Sequence, residues 1–157
     1  MDATNTRYFT HKALEKMISV QGKTIETVVV FLWQNTVDAN SSLEIIDGLQ
    51  LRFTDGERIT IGCNENGDGL DILDYNFKDI KKQLEVEFAG KIKLHALDAS
   101  KTKMWLDVTG KQLKAIQLTK SGDNYISDSV MLDIDDEPRT VAVSPYDGIV
   151  IDYYDKD

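Results

Sequence analysis

The side chains best equipped for chemistry crowd the last 37 residues. Asp133, Asp135, Asp136 and Glu137 stand within five positions, and Asp152 follows close to Tyr146, Tyr153 and Tyr154. Neighbouring carboxylates perform general acid–base work when an apolar cleft raises the pKa of one of them. In an exposed turn they are simply solvated. Tyrosines interleaved with acids suit another task, because aromatic rings are enriched at the cores of protein interfaces. The sequence therefore offers Asp133, Asp135, Asp136, Glu137, Tyr146, Asp152, Tyr153 and Tyr154 as a partner-binding set. The competing account is that the acids solvate edge strands and the tyrosines are ordinary strand residues.

Charge placement strengthens the binding account. The 157-residue chain carries a net charge of −9, and residues 121–157 hold ten acids against only Arg139 and Lys156. The other 120 residues are nearly balanced, with a lysine-rich stretch from Lys78 to Lys120. An acidic balance argues against nucleic acid, which needs a basic footprint. It favours a basic protein partner, with self-association of acidic end and basic middle as a further possibility.

Other chemistry is poorly framed. Asn64-Glu65-Asn66-Gly67-Asp68-Gly69 resembles the start of a calcium loop, but Asn64 replaces the first Asp and Tyr75 stands where a bidentate Glu belongs. A connection between two strands explains the same residues. His11 and His95 are the only histidines and have no His or Cys at ligand spacing. The single cysteine, Cys63, reads as a strand residue rather than a nucleophile, and it excludes an internal disulfide. No G-x-S-x-G, G-x-G-x-x-G or phosphate-loop pattern occurs. We expect no metal, no cofactor and no catalytic residue.

The elements that position these residues follow from periodicity. Leu49 to Tyr75 reads as strand, Asp55-Gly56 turn, strand, Gly/Asn-rich loop and strand. Val130 to Tyr154 is a looser copy. Leu51, Asp55 and Arg58 match Leu132, Asp136 and Arg139 at a constant offset, and Asp68-Gly69, Ile72 and Tyr75 match Asp147-Gly148, Ile151 and Tyr154 after a gap. Residues 49–75 and 130–154 are thus possible repeat units, although alternation and Asp-Gly turns also arise without duplication.

Elsewhere, Thr10 caps a predicted helix with an apolar stripe at Ala13, Leu14, Met17 and Ile18. Residues 24–33 read as a strand apolar on both faces, with Ile25, Thr27, Val29, Phe31 and Trp33 sharing one of them. Gln34–Ser42 reads as a loop, and Asp47-Gly48 as a turn. Phe77, Ile80, Leu84 and Phe88 form one face of a second helix, started by Asn76 and ended by Gly90. Lys91–Leu97 reads as a strand, and Met104–Val108 and Leu113–Thr119 as a hairpin about Gly110.

The expected fold is α+β: a single globular domain over residues 1–157, mainly antiparallel sheet built from β-meanders, with two helices packed on it. The opening MDATNTRYFTHKALEKM has no apolar leader core, and the longest apolar run, Val28–Trp33, is far short of the ~20 residues that span a bilayer. We expect a soluble cytoplasmic protein without a membrane partner. Compact, acidic, cysteine-poor chains without a catalytic signature are similar in kind to bacterial immunity and antitoxin proteins. That likeness implies a non-enzymatic protein that occupies a basic partner. The alternative is an enzyme or small-ligand-binding protein whose site is assembled from dispersed carboxylates and aromatics.

Overall fold

Our computed structural model describes residues 8–35, 43–64, 67–135, 137–144 and 148–153. They form α1 (His11–Val20), β1 (Ile25–Asn35), β2 (Leu43–Phe53), β3 (Arg58–Cys63), β4 (Leu70–Ile72), α2 (Phe77–Glu87), β5 (Ile92–Asp98), β6 (Leu113–Ser121), β7 (Asn124–Ile134), β8 (Arg139–Ser144) and β9 (Gly148–Tyr153). All nine strands join one curled sheet, mostly antiparallel, in the order β4-β3-β2-β9-β8-β7-β6, with β1 beside β2 and β5 beside β1.

Two short junctions curl the sheet back on itself. At one, β9 meets β2 in a parallel contact that pairs Ile46 with Gly148. Gly148 has φ +72°, and a Cβ there would overlap the Ile46 carbonyl and the Ile45 side chain, so only glycine lets the strands meet. At the other, the start of β1 bonds to the residues entering β6. Ile25 N–H donates to the Lys111 carbonyl (2.9 Å), and Leu113 N–H donates to that of Lys23 (2.9 Å).

The interior of the curl is the main core. Leu49, Leu51, Phe53, Ile59 and Ile61 face it from β2 and β3, and Val130, Leu132, Ile134, Val141, Ile149 and Ile151 from β7–β9. Removing each such side chain from water contributes roughly 1.5–3 kcal/mol. α1 adds Ala13, Met17 and Val20 to this core, with Thr10 Oγ1 accepting from Ala13 N–H (3.1 Å) as its cap. Ile18, which the sequence placed on the buried stripe, is 67% exposed. Positions 13, 17 and 20 lie on one helical face, and 18 is turned about 100° from 17.

Strand β1 is covered on both sides, as its composition predicts. Val28 enters the main core, while Val29 and Phe31 face outward with Leu94 and Tyr75. A register shift between Ile25 and Thr27 moves Ile25 to the Val28 side, so the expected face shared by Ile25 and Val29 is broken. α2 lies over this outer face through half-buried Phe77, Ile80 and Leu84. Phe31 stacks on Tyr75 with ring centroids 4.2 Å apart. The helix ends before Phe88 can join, because Ala89 and Gly90 take φ +51° and +79° and turn the chain into β5.

Two further expectations fail. Asp47-Gly48 is not a turn: β2 runs through it, and Asp47 is the extra residue where pairing steps from Phe31↔Gly48 to Leu32↔Ile46. Met104–Val108 is not a strand. Residues 99–111 wind through successive turns, with Trp105 N–H bonded to the Thr102 carbonyl (3.1 Å) and Val108 N–H to that of Trp105 (2.9 Å). The three-residue spacing puts Trp105 and Val108 into the core together, and β6 pairs with β7 instead. Of the predicted loop at 34–42, residues 34 and 35 belong to β1, and 36–42 lie outside the described residues.

Candidate functional site

The acidic end divides between a sheet face and a turn. With Val130, Leu132 and Ile134 inward, Asp133 faces out beside Ala115 of β6. With Ile149 and Ile151 inward, Asp152 also faces out, paired with Thr140, which in turn pairs with Met131. Asp133 and Asp152 thus share the outer face of β7–β9, roughly 12 Å apart by strand spacing and residue rise. Between them lie half-buried Met131 and Thr140, and half-buried Ala142 and 38% exposed Val150 lie on the same face beyond Asp152, on the side away from Asp133. Neither Asp133 nor Asp152 has an ion pair among the described residues.

The turn acids differ. Asp135, at φ +34°, sits 3.2 Å from Lys114 Nζ. Glu137 lies 3.6 Å from Arg139 Nη1 and 3.9 Å from Lys111 Nζ. Their charge is therefore balanced within the chain. Asp136, Tyr146 and Tyr154 lie outside the described residues, and Tyr153 is described only through its backbone, paired with Arg139.

Sequence reasoning missed Arg139. It is 2% exposed, donates from Nε to the Met104 carbonyl (2.9 Å) and from Nη1 to that of Pro138 (3.0 Å), and lies 5.5 Å from the Trp105 ring. In the sequence it served only as a match to Arg58, which the structure leaves exposed. A guanidinium with five donors is suited to gathering such carbonyls.

Also missed was a groove of about 640 Å³ between α1 and the β3–β4 side of the sheet. Lys12 and Lys16 flank it from α1, and Glu57, Arg58, Asp71 and Asp74 from the strands and their connections. Ala13, Ile59, Ile72 and Leu73 supply apolar surface, and Thr60 and Tyr75 also line it. These residues come from separated segments, so spacing gave no signal. A second groove, about 460 Å³, runs between α2 and β5 past Lys81, Glu85, Lys93 and His95.

The remaining candidates have local partners. Asn64 Nδ2 donates to Asp68 Oδ1 (2.9 Å), and Asp68 N–H to Asn64 Oδ1 (3.2 Å), so both side chains help close the turn. His11 lies 2.8 Å from Glu15 on α1, and His95 3.1 Å from Gln34. Burial, and then the Asp47 carboxylate, raise the pKa of the half-buried Cys63 thiol, which opposes thiolate formation. Tyr75 donates to Asp47 Oδ2 (2.7 Å); burial first, and Asp47 next, hold its phenol above the ordinary tyrosine range. Among the described residues no three His, Cys, Asp or Glu side chains gather to hold a metal, and no helix is long and apolar enough to cross a membrane.

No protein-family model, curated protein or solved structure matches this chain.

Proposed function

We propose that this chain is a small binding protein that occupies a basic protein partner through the outer face of β7–β9. One observation carries the reading: Asp133 and Asp152 share the outward face of the sheet, neither in an ion pair among the described residues, with Met131 between them and Ala142 and Val150 beside Asp152. Apolar side chains flanked by charged ones suit a protein interface, whose apolar centre is bordered by polar groups. Tyr146, Tyr153 and Tyr154, from the end of the same region, complete the proposed partner-binding set, with Tyr153 entering through a backbone position that pairs with Arg139 rather than lying on the outer face with Asp152. Asp135, Asp136 and Glu137 extend it at the β7–β8 turn, with Lys114 and Lys111 tempering its charge there. The role is immunity- or antitoxin-like in kind, non-enzymatic and cytoplasmic, and self-association through the lysine-rich middle is its weaker variant.

We also read β2–β4 and β7–β9 as two copies of one β-meander. Leu51 and Leu132, at matching positions, are both completely buried. A small-ligand role is the second reading of the function, and the groove beside α1 favours it.

The test is kinetic. A basic partner isolated from the source cell is mixed with wild-type protein and with the Asp133→Asn/Asp152→Asn double variant. Electrostatic steering predicts a several-fold lower association rate for the variant at low salt, and a shallower salt dependence. Identical rates and salt slopes would remove the proposal.

A further inference from the structure

The groove beside α1 has a charge arrangement that the β7–β9 proposal does not use. Lys16 and Glu57 face each other at 3.5 Å and balance locally. Four other charged side chains line the groove, Lys12, Arg58, Asp71 and Asp74, and none forms an ion pair among the described residues. Asp71 Oδ1 accepts from the Ile72 N–H (2.8 Å), which leaves Asp74 the freer carboxylate. Two cations and two anions thus surround apolar surface from Ile59, Ile72 and Leu73.

A purely anionic or cationic ligand would meet repulsion from half of these groups. A molecule with one carboxylate, one ammonium and an apolar body between them would meet a partner for every part. The volume of about 640 Å³ lies within the range of small-molecule sites and exceeds what one amino acid fills. We propose that this groove binds a short zwitterionic peptide with apolar side chains. Arg58, assisted by Lys12, takes its carboxylate; Asp74, assisted by Asp71, takes its ammonium group. Arg58 is suited to the first task because a guanidinium grips a carboxylate through two parallel bonds. This site shares no residue with the β7–β9 face, so either assignment stands or falls without the other.

The experiment uses calorimetric titration of the full chain with tri-leucine, its N-acetyl form and its C-amide form. Tri-leucine is expected to bind saturably at micromolar to millimolar concentration, and each blocked form to bind about tenfold more weakly, as loss of a charge-assisted hydrogen bond requires. Arg58→Gln should lower affinity for tri-leucine and make C-amidation indifferent while N-acetylation still matters. Asp74→Asn should give the converse. Both side chains are exposed, and unchanged thermal midpoints will separate lost binding from lost folding. Absence of saturable binding by the wild-type chain, or binding that ignores both end groups, would overturn the proposal. So would variants that respond to the two blocking groups identically.

Discussion

The strands β2–β4 and β7–β9 are both antiparallel sets of three, and they lie in different surroundings. Each set is three consecutive strands in antiparallel pairs with one apolar face on the shared core. Outside, the first set belongs to the half of the sheet that α2, Leu73 and Tyr75 cover, while the second faces solvent. The matching arginines diverge as well. Arg58 stands exposed at a groove, whereas Arg139 is sealed beneath Trp105 and holds the Met104 carbonyl. An arginine that opens the middle strand of three is a potential ligand contact in one place and a structural tie in the other. The neighbouring segment decides which: residues 99–111 fold over the second arginine and nothing equivalent covers the first.

That contrast can be broken most directly at the arginines. Arg139→Ala should destabilise the fold by about 3–5 kcal/mol, the usual cost of removing one partner from a buried charged network. Arg58→Ala should stay within about 0.5 kcal/mol. Urea unfolding of both variants measures the difference, and equal losses would contradict the burial of Arg139.

The two outer faces give the next test. Leu94, 1% exposed beneath α2, should cost about 2–5 kcal/mol when replaced by alanine. Val150→Ala, on the uncovered face, should cost less than about 1 kcal/mol by the same measurement.

The smallest effect sharpens the role of Tyr75. Its phenol is held protonated in the fold, while the unfolded chain ionises near the ordinary tyrosine value of 10.0. Above that pH the unfolded state binds fewer protons than the native state, so stability falls as pH rises. Tyr75→Phe removes this contribution. It should cost about 1 kcal/mol at neutral pH, where the bond to Asp47 is lost, and flatten the decline above pH 10. Unfolding midpoints from pH 7 to 11 provide the check.

Local periodicity made much of this fold legible. Both helices were visible from their caps and stripes, and the Asp55-Gly56 turn implied the antiparallel β2–β3 pair. What escaped depended on contacts distant in sequence. The bulge at Asp47 exists because β1 and β2 must stay in register past Phe31. Met104–Val108 alternates well enough to suggest a strand, but the pull of Trp105 and Val108 into the core wins. The outward orientation of Asp133 and of Asp152 followed from alternation, whereas the neutralisation of Asp135 and Glu137 needed lysines from the approach to β6 and from β6 itself. The groove was invisible for the same reason, since α1 and β3–β4 meet only in space.

The seam at Ile46 and Gly148 also bears on how the molecule assembles during synthesis. The N-terminal side of that seam leaves the ribosome long before its partner, so β2 must wait with this edge unmatched while β3 to β8 emerge. Pairings between positions so distant in sequence are slow to form, because their loop-closure entropy is lost before the contact rewards it. Until Gly148 docks, the half-finished sheet exposes backbone donors and acceptors that another nascent chain could capture. The one position where β9 tolerates no side chain is therefore also the latch whose timing separates correct closure from entanglement with a neighbour.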